Sequence, residues 1–266
     1  MLVSEVMLQQ TPTSRVLDPW RRFLERFPTP TDCADASLAD VLTLWHGLGY
    51  PRRAKALHDA ATALRDEFGG VVPAEVAQLR TLPGVGEYTA AAVASFAFGE
   101  RVAVLDTNVG RVLARAVANR RLSAREAKEL AHELLPRNDA ATFNQAMLDL
   151  GAQFCRSAPR CSHCPLATRC SWHLAGGEDP APTSAAVSRP QARYEGSNRQ
   201  LRGRLLSALR DGPRSLGELE DAVAGASARR VEGALSSLER DGLVTRRGRR
   251  LSLAGAVVEF GAIASR

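Results

Sequence analysis

Residues 82–99, LPGVGEYTAAAVASFAFG, decide how this chain is read. Leu82 and Pro83 end one helical segment. Gly84, Val85 and Gly86 form a tight turn, and a helix of small residues follows. Glycine lacks a Cβ, so Gly84 and Gly86 let the backbone turn sharply and let a ligand come close to it. A turn of this kind sets N–H groups beside a helix N-terminus, where a phosphate is favoured. Gly84, Val85, Gly86 and Thr89 are therefore candidate contacts to a DNA backbone, of the helix-hairpin-helix kind that grips phosphates without reading bases. An ordinary interhelical turn is the alternative reading of LPGVG.

Downstream, CRSAPRCSHCPLATRC (155–170) holds four of the chain's five cysteines. Paired disulfides suit small secreted domains that lack a core. This chain has 266 residues, opens with no signal-like segment, and contains no apolar run of membrane-spanning length. Those features point to the reducing cytosol, where clustered thiolates bind metal. Zinc sites usually pair two knuckles a dozen or more residues apart. The single compact run C-x5-C-x2-C-x5-C looks more like an iron–sulfur site formed by Cys155, Cys161, Cys164 and Cys170. Cys33 stands apart and reads as a small buried apolar residue. With 35 Lys and Arg against 29 Asp and Glu, the net charge of +6 only hints at an anionic partner.

Two carboxylates draw notice. In VLDTNVGRV (104–112), Asp106 precedes a helix and is followed by Asn108. It reads either as a plain N-cap or as an ionised carboxylate facing a cleft, able to stabilise a developing cation. In SEVMLQQT (4–11), Glu5 falls among Val3, Val6, Met7 and Leu8. It reads as an exposed helix residue or as a carboxyl whose apolar company raises its pKa for general-acid work. One protonated and one ionised carboxylate together suit glycosidic cleavage through an oxocarbenium-like state.

Around these motifs the chain reads as short amphipathic helices, all-α up to Cys170. Ser37 with Asp40, and Ser123 with Glu126, are spaced as capping boxes. TFNQAMLDLG is expected to put Phe143, Met147 and Leu150 on one face and to stop at Gly151. Residues 175–191 are rich in Pro, Gly, Ala and Ser and read as a linker. Beyond it, helices and a hairpin turning near Gly248 suggest a small winged-helix module. Its Arg229, Arg230, Arg246, Arg247, Arg249 and Arg250 either touch phosphates or form a solvated surface.

In order along the chain stand SEVMLQQT, WHGLGY, RAKALH, LPGVGEYTAAAVASFAFG, LDTNV, FNQAMLDLGAQFC and CSHCPLATRC. Together they resemble the adenine DNA glycosylase family of the helix-hairpin-helix iron–sulfur glycosylases, over about residues 3–171. The resemblance implies a mainly α, two-lobed fold, with a helix-hairpin-helix lobe over 1–116 and a helical cluster lobe over 117–172. A linker over 173–197, the winged-helix-like module over 198–253 and a tail over 254–266 complete the expected organisation. Glu5 is matched to the acid that protonates adenine, Asp106 to the carboxylate that stabilises the sugar cation, and Tyr88 and Asn108 to residues supporting them. Gln10 and Tyr50 match the positions that wedge into the duplex, as flipping a base requires. The four clustered cysteines match the ligands of a [4Fe–4S] cluster, which pins a loop whose Arg156, Arg160 and Arg169 can face phosphates. The implied partner is double-stranded DNA containing a mispaired adenine, and the implied setting is the bacterial cytoplasm at the nucleoid, with no membrane and no obligate oligomer.

Tyr88 separates close relatives. In the endonuclease III branch this place carries a lysine that forms a Schiff base and cleaves the strand. A phenol cannot, so the expected activity is monofunctional and leaves an abasic site. Three departures from the family pattern are visible. The family has about thirty further residues upstream, including a Trp-Arg pair. Its first cysteine spacing is typically six residues rather than five. Many members carry a Nudix-like C-terminal domain, which residues 198–253 do not resemble. A mismatch thymine or uracil glycosylase, an endonuclease III-like enzyme, an inactive DNA-binding scaffold and a zinc-bound regulator are the other readings.

Overall fold

The structure is a computed structural model that describes residues 1–184, 187 and 193–256. Its helices are α1 (Leu2–Leu8), α2 (Thr13–Arg26), α3 (Pro30–Asp35), α4 (Leu38–Leu44), α5 (Arg52–Phe68), α6 (Val76–Leu79), α7 (Glu87–Phe98) and α8 (Thr107–Val112). A π-helical turn, Leu113–Ala118, continues α8. Then follow α9 (Ala124–Glu133), α10 (Ala140–Gln153), α11 (Ser171–Ala175), α12 (Asn198–Ala208), α13 (Leu216–Ala222) and α14 (Ala228–Arg240). Three short strands, β1 (Arg214–Ser215), β2 (Val244–Arg247) and β3 (Arg250–Leu253), form one antiparallel sheet in the order β1-β3-β2. Among the described residues, no helix is long and apolar enough to cross a membrane.

The chain separates into two compact units. One comprises Met1–Leu2, Ala74–Thr81 and Val85–Gln191; the other comprises Val3–Pro73, Leu82–Gly84 and Ala192–Arg266. In the first unit, α7 is buried continuously from Thr89 to Ser95. A helix enclosed on every side needs small residues, which is why this segment is mostly alanine. A second cluster gathers Val109, Leu113, Ala114, Leu122, Ala127 and Ala131. Asn144 of α10 is only 3 % exposed. Its amide donates to Ser95 Oγ at 2.9 Å and to the Val102 carbonyl at 2.8 Å, and its carbonyl accepts from the Val104 N–H at 3.2 Å.

Gly151 does not end α10, which continues to Gln153. A Cβ at Gly151 would lie within 2.6 Å of Asn108, so the glycine permits α10 to press against the start of α8. The stretch expected as a linker is likewise packed over its first half. Ala181 is buried, Asp179 pairs with Arg115, and the Leu122 N–H donates to Ser184 Oγ at 3.1 Å. Of the remainder, 185, 186 and 188–192 lie outside the described residues, as does the tail from 257 on.

In the second unit, Val6, Met7, Phe23, Phe27, Leu42, Trp45, Leu48 and Leu57 are buried. Both expected capping boxes form, Ser37 with Asp40 and, in the first unit, Ser123 with Glu126. Thr29 with Asp32 and Ser215 with Glu218 make two more. Each satisfies two backbone donors that a helix start leaves open. The expected hairpin pairs Arg247 with Arg250 across Gly248, which takes φ +58°. The all-α expectation holds through Cys170, and the two-residue strand β1 precedes the hairpin region, where none was expected.

Candidate functional site

In the second unit, α1 places Glu5 with only 8 % of its surface exposed, between Leu2, Val6 and Met7, which are all buried. The exposed-helix alternative for Glu5 is therefore wrong. Arg53 of α5 fastens the end of this helix. One of its terminal nitrogens donates to the carbonyls of Val6, Met7 and Gln9 at 2.9, 2.8 and 2.6 Å. The other donates to Thr11 Oγ1 at 2.9 Å and to the carbonyls of Leu48 and Gly49 at 3.1 Å. The Val6 and Met7 carbonyls belong to the last turn of α1, which leaves its acceptors open, and a distant side chain satisfies them here. Burial pulls the Arg53 guanidinium down to about 10, and Tyr50 pulls the other way.

Gln10 and Tyr50, the expected wedge residues, both have left-handed backbones, at φ +58° and φ +47°. Such conformations in residues with a Cβ cost energy and collect at functional sites. Both residues line a cleft with Arg52, Arg53, Arg199 and Arg202.

In the first unit, Asp106 is the N-cap of α8. Its carboxylate accepts from the Val109 N–H at 2.8 Å and from the Asn108 side-chain amide at 2.7 Å. The capping alternative is thus correct, yet it does not exhaust the residue. Asp106 lines a pocket with Tyr88, Leu105, Thr107, Ala124 and Lys128. Burial lifts its carboxyl above the ordinary value, while the Val109 N–H, the Asn108 groups and Arg111 draw it down. Asn108 Oδ1 in turn accepts from Arg111 at 2.6 Å, and Arg111 donates to the carbonyls of Cys155 and Gly151 at 2.6 and 3.0 Å. An unbroken polar chain therefore runs from the Asp106 carboxylate to the first clustered cysteine.

None of the four clustered cysteines is in a disulfide, and all four line one cavity with Val112, Arg115, Leu150, Phe154 and Trp172. Arg115, 1 % exposed, anchors the loop. It donates to Asp179 through two nitrogens at 2.8 and 2.5 Å, to the Arg156 carbonyl at 2.5 Å and to Cys155 Sγ at 3.5 Å. Its guanidinium also lies 5.4 Å from the Trp172 ring centroid. Burial pushes the Cys155 thiol up, and Arg115 and Arg111 pull it back toward the thiolate. Among the described residues, no three His, Cys, Asp or Glu side chains converge on a site for one metal ion.

At the hairpin turn, Gly84 has φ +75°, and a Cβ there would meet the Ala56 Cβ at 2.6 Å. Gly86 caps α7 in an extended conformation with open space where a Cβ would be. The two glycines thus serve different ends, helix packing for one and open access for the other. Val85 and Thr89 are buried, so neither side chain is open to a phosphate. In the cysteine loop, Arg156, Arg160 and Arg169 are exposed. In the C-terminal residues, Arg246 is paired with Glu232 and Glu239, Arg230 donates to the Gly196 carbonyl, and Arg250 donates to the Pro213 carbonyl.

Sequence reasoning passed over Arg53, Arg111, Arg115 and Asp179. A signal existed for two of them: Arg111 and Arg115 stand four apart in the otherwise apolar run VGRVLARAVA. A buried cation must find acceptors.

Residues 3–137 match the family described as HhH-GPD superfamily base excision DNA repair protein. The chain belongs to this superfamily. It is 48 % identical over 253 residues to an adenine DNA glycosylase of Mycobacterium tuberculosis (strain H37Rv), spanning 92 % of this chain and 81 % of that protein. An adenine DNA glycosylase of Mycolicibacterium smegmatis is 47 % identical over 91 % of this chain and 83 % of its own. Among solved structures, a thermostable thymine-DNA glycosylase superposes with a TM-score of 0.61 at 28 % identity, covering 66 % of this chain and 83 % of that one. A trapped endonuclease III–DNA covalent intermediate gives 0.59 at 28 % identity, covering 65 % and 83 %.

Proposed function

We propose that this member of the superfamily is a monofunctional adenine-specific DNA N-glycosylase, acting on adenine paired with guanine or 8-oxoguanine in duplex DNA. The observation that carries the reading is the pocket shared by the Asp106 carboxylate and the Tyr88 phenol, together with near-half identity to adenine DNA glycosylases along most of the chain. The adenine is flipped out of the stack. Glu5 gives its proton to a ring nitrogen, the base departs with the electron pair of the glycosidic bond, and Asp106 faces the positive charge left on the sugar. Water adds at C1′ and loses a proton, leaving an abasic site. Asn108 and Tyr88 hold the carboxylate side of the pocket. The amine nearest this chemistry, Lys128, donates to the Glu87 carboxylate at 2.8 Å, which disfavours attack on the sugar.

Cys155, Cys161, Cys164 and Cys170 fit a [4Fe–4S] cluster. Four thiols line one cavity, and their single compact run suits an iron–sulfur cluster better than paired zinc knuckles. When bound, the cluster ties the 155–170 loop together through four thiolates. The chain's own Arg115 and Arg111 fix that loop to α8. Residues 198–253 are read as the winged-helix-like module, and the enzyme acts as a monomer in the bacterial cytoplasm.

The test is single-turnover base release from a labelled duplex with adenine opposite 8-oxoguanine, assayed with and without alkali. Strand cleavage only after alkali is expected. Cleavage without alkali overturns the monofunctional reading. Release of thymine from a parallel thymine–guanine duplex, with adenine untouched, overturns the adenine reading.

A further inference from the structure

The cleft beside Tyr50 is built partly by the C-terminal residues of the same compact unit. Arg199 and Arg202 lie three apart on α12 and face the Tyr50–Arg53 segment. Arg199 donates a hydrogen bond to the Tyr50 hydroxyl, and its guanidinium stacks 5.5 Å from the Tyr50 ring centroid. Arg53 stacks at 5.4 Å from the same centroid. A half-buried ring is thus engaged by two cations on a backbone already held at φ +47°. Beneath it, Arg202 donates to Ser237 and to Asp241 at 2.5 Å, and Arg52 reaches Asp241 at 3.6 Å. Gly242 lies so close to Lys55 that a Cβ would meet its side chain at 3.0 Å. The C-terminal module is therefore fastened to the segment that carries Tyr50.

We propose that Arg199 is a positioning residue that acts through Tyr50, so that the C-terminal module helps open the duplex. A side chain that pushes between stacked bases must be stiff, because any rotation it retains reduces the work it does on the stack. Arg199 holds the phenol hydroxyl, while Arg53 over the ring and the left-handed backbone restrict the rest of the side chain. This rests on the glycosylase reading above and on Tyr50 being the wedge.

The experiment compares wild type, Arg199→Ala, Arg199→Lys and Tyr50→Phe by single-turnover adenine release on two duplexes. One has adenine opposite 8-oxoguanine. The other has the same adenine opposite an abasic analogue, where no partner base resists flipping. Arg199→Ala should slow release about tenfold on the first duplex and much less on the second, as loss of one hydrogen-bonded cation–π contact implies. Arg199→Lys should recover part of the rate, and Tyr50→Phe should reproduce part of the loss. Equal slowing on both duplexes, or no slowing on either, overturns the proposal. Should Arg199→Ala lose its cooperative melting transition, Tyr50→Phe decides, since it removes the same hydrogen bond from the other side. A wild type that releases no adenine from either duplex points instead to failure of the glycosylase reading.

Discussion

Each compact unit presents one candidate carboxylate and fastens its helix with arginine, half-buried in one unit and buried in the other, and the two settings differ. In the second unit, Glu5 lies on α1 among apolar residues, and Arg53 holds the end of that helix through the backbone carbonyls of Val6 and Met7. In the first, Asp106 accepts two hydrogen bonds of its own, and Arg115 is matched by Asp179. The same residue class is set toward different tasks by its surroundings. Glu5 has apolar neighbours, whereas Asp106 has donors that offset part of what burial does to its carboxyl. The arginines teach a related point. Burial leaves Arg53 with a depressed pKa of about 10, whereas Asp179 and Cys155 hold Arg115 above the ordinary value in spite of its burial.

The sharpest way to break this contrast is Glu5→Gln. Base release should fall by roughly 10²–10⁴-fold with duplex affinity nearly unchanged, because only the transferable proton is lost. Parallel loss of binding in a gel-shift titration would make Glu5 a structural residue. Arg115→Ala comes next, with an expected loss of about 3–5 kcal/mol in denaturant unfolding, since it strands Asp179 and several carbonyls at once. Iron content per chain should fall with it. Arg53→Met should cost about 3 kcal/mol, as charged hydrogen bonds to α1 and to the Leu48–Gly49 carbonyls disappear. A loss confined to stability, with the rate per folded molecule unchanged, would detach Arg53 from the chemistry.

The smallest effect is in pH. Asp106 binds its proton more readily folded than unfolded, because burial dominates. The stability it contributes is therefore present at low pH and lost as pH rises through its folded pKa. Asp106→Asn should gain stability relative to wild type as pH climbs from the ordinary carboxylate value of 3.8 toward neutrality, read by denaturant unfolding across that range. The acid limb of the wild-type pH–rate profile should lie above that ordinary value. A limb below it would mean that the Val109 and Asn108 donors outweigh burial.

What could be read in advance was local. Ser37 with Asp40, Ser123 with Glu126, the Gly84–Gly86 turn and the Gly248 hairpin each announce themselves within a few residues, because caps and turns are short-range chemistry. The clustered cysteines were visible by spacing alone. What escaped was long-range. Arg53 reaches back more than forty positions to α1, and Arg115 reaches forward to Asp179, across separations that leave no mark on periodicity. In sequence Gly151 reads as a stop, because glycine after a helix usually is one. Its true constraint, the closeness of Asn108, belongs to a different helix. Asp179, Ala181 and Ser184 were hidden in a composition that reads as linker, although three residues suffice to dock a segment.

That docked segment determines how the molecule can be shortened. A chain cut after Cys170 would keep every cysteine but take the carboxylate from Arg115, the acceptor from the Leu122 amide and the methyl of Ala181 from its cluster. A protease working on the native protein should spare these residues, and a shortened expression product should extend through Ser184 to stay soluble.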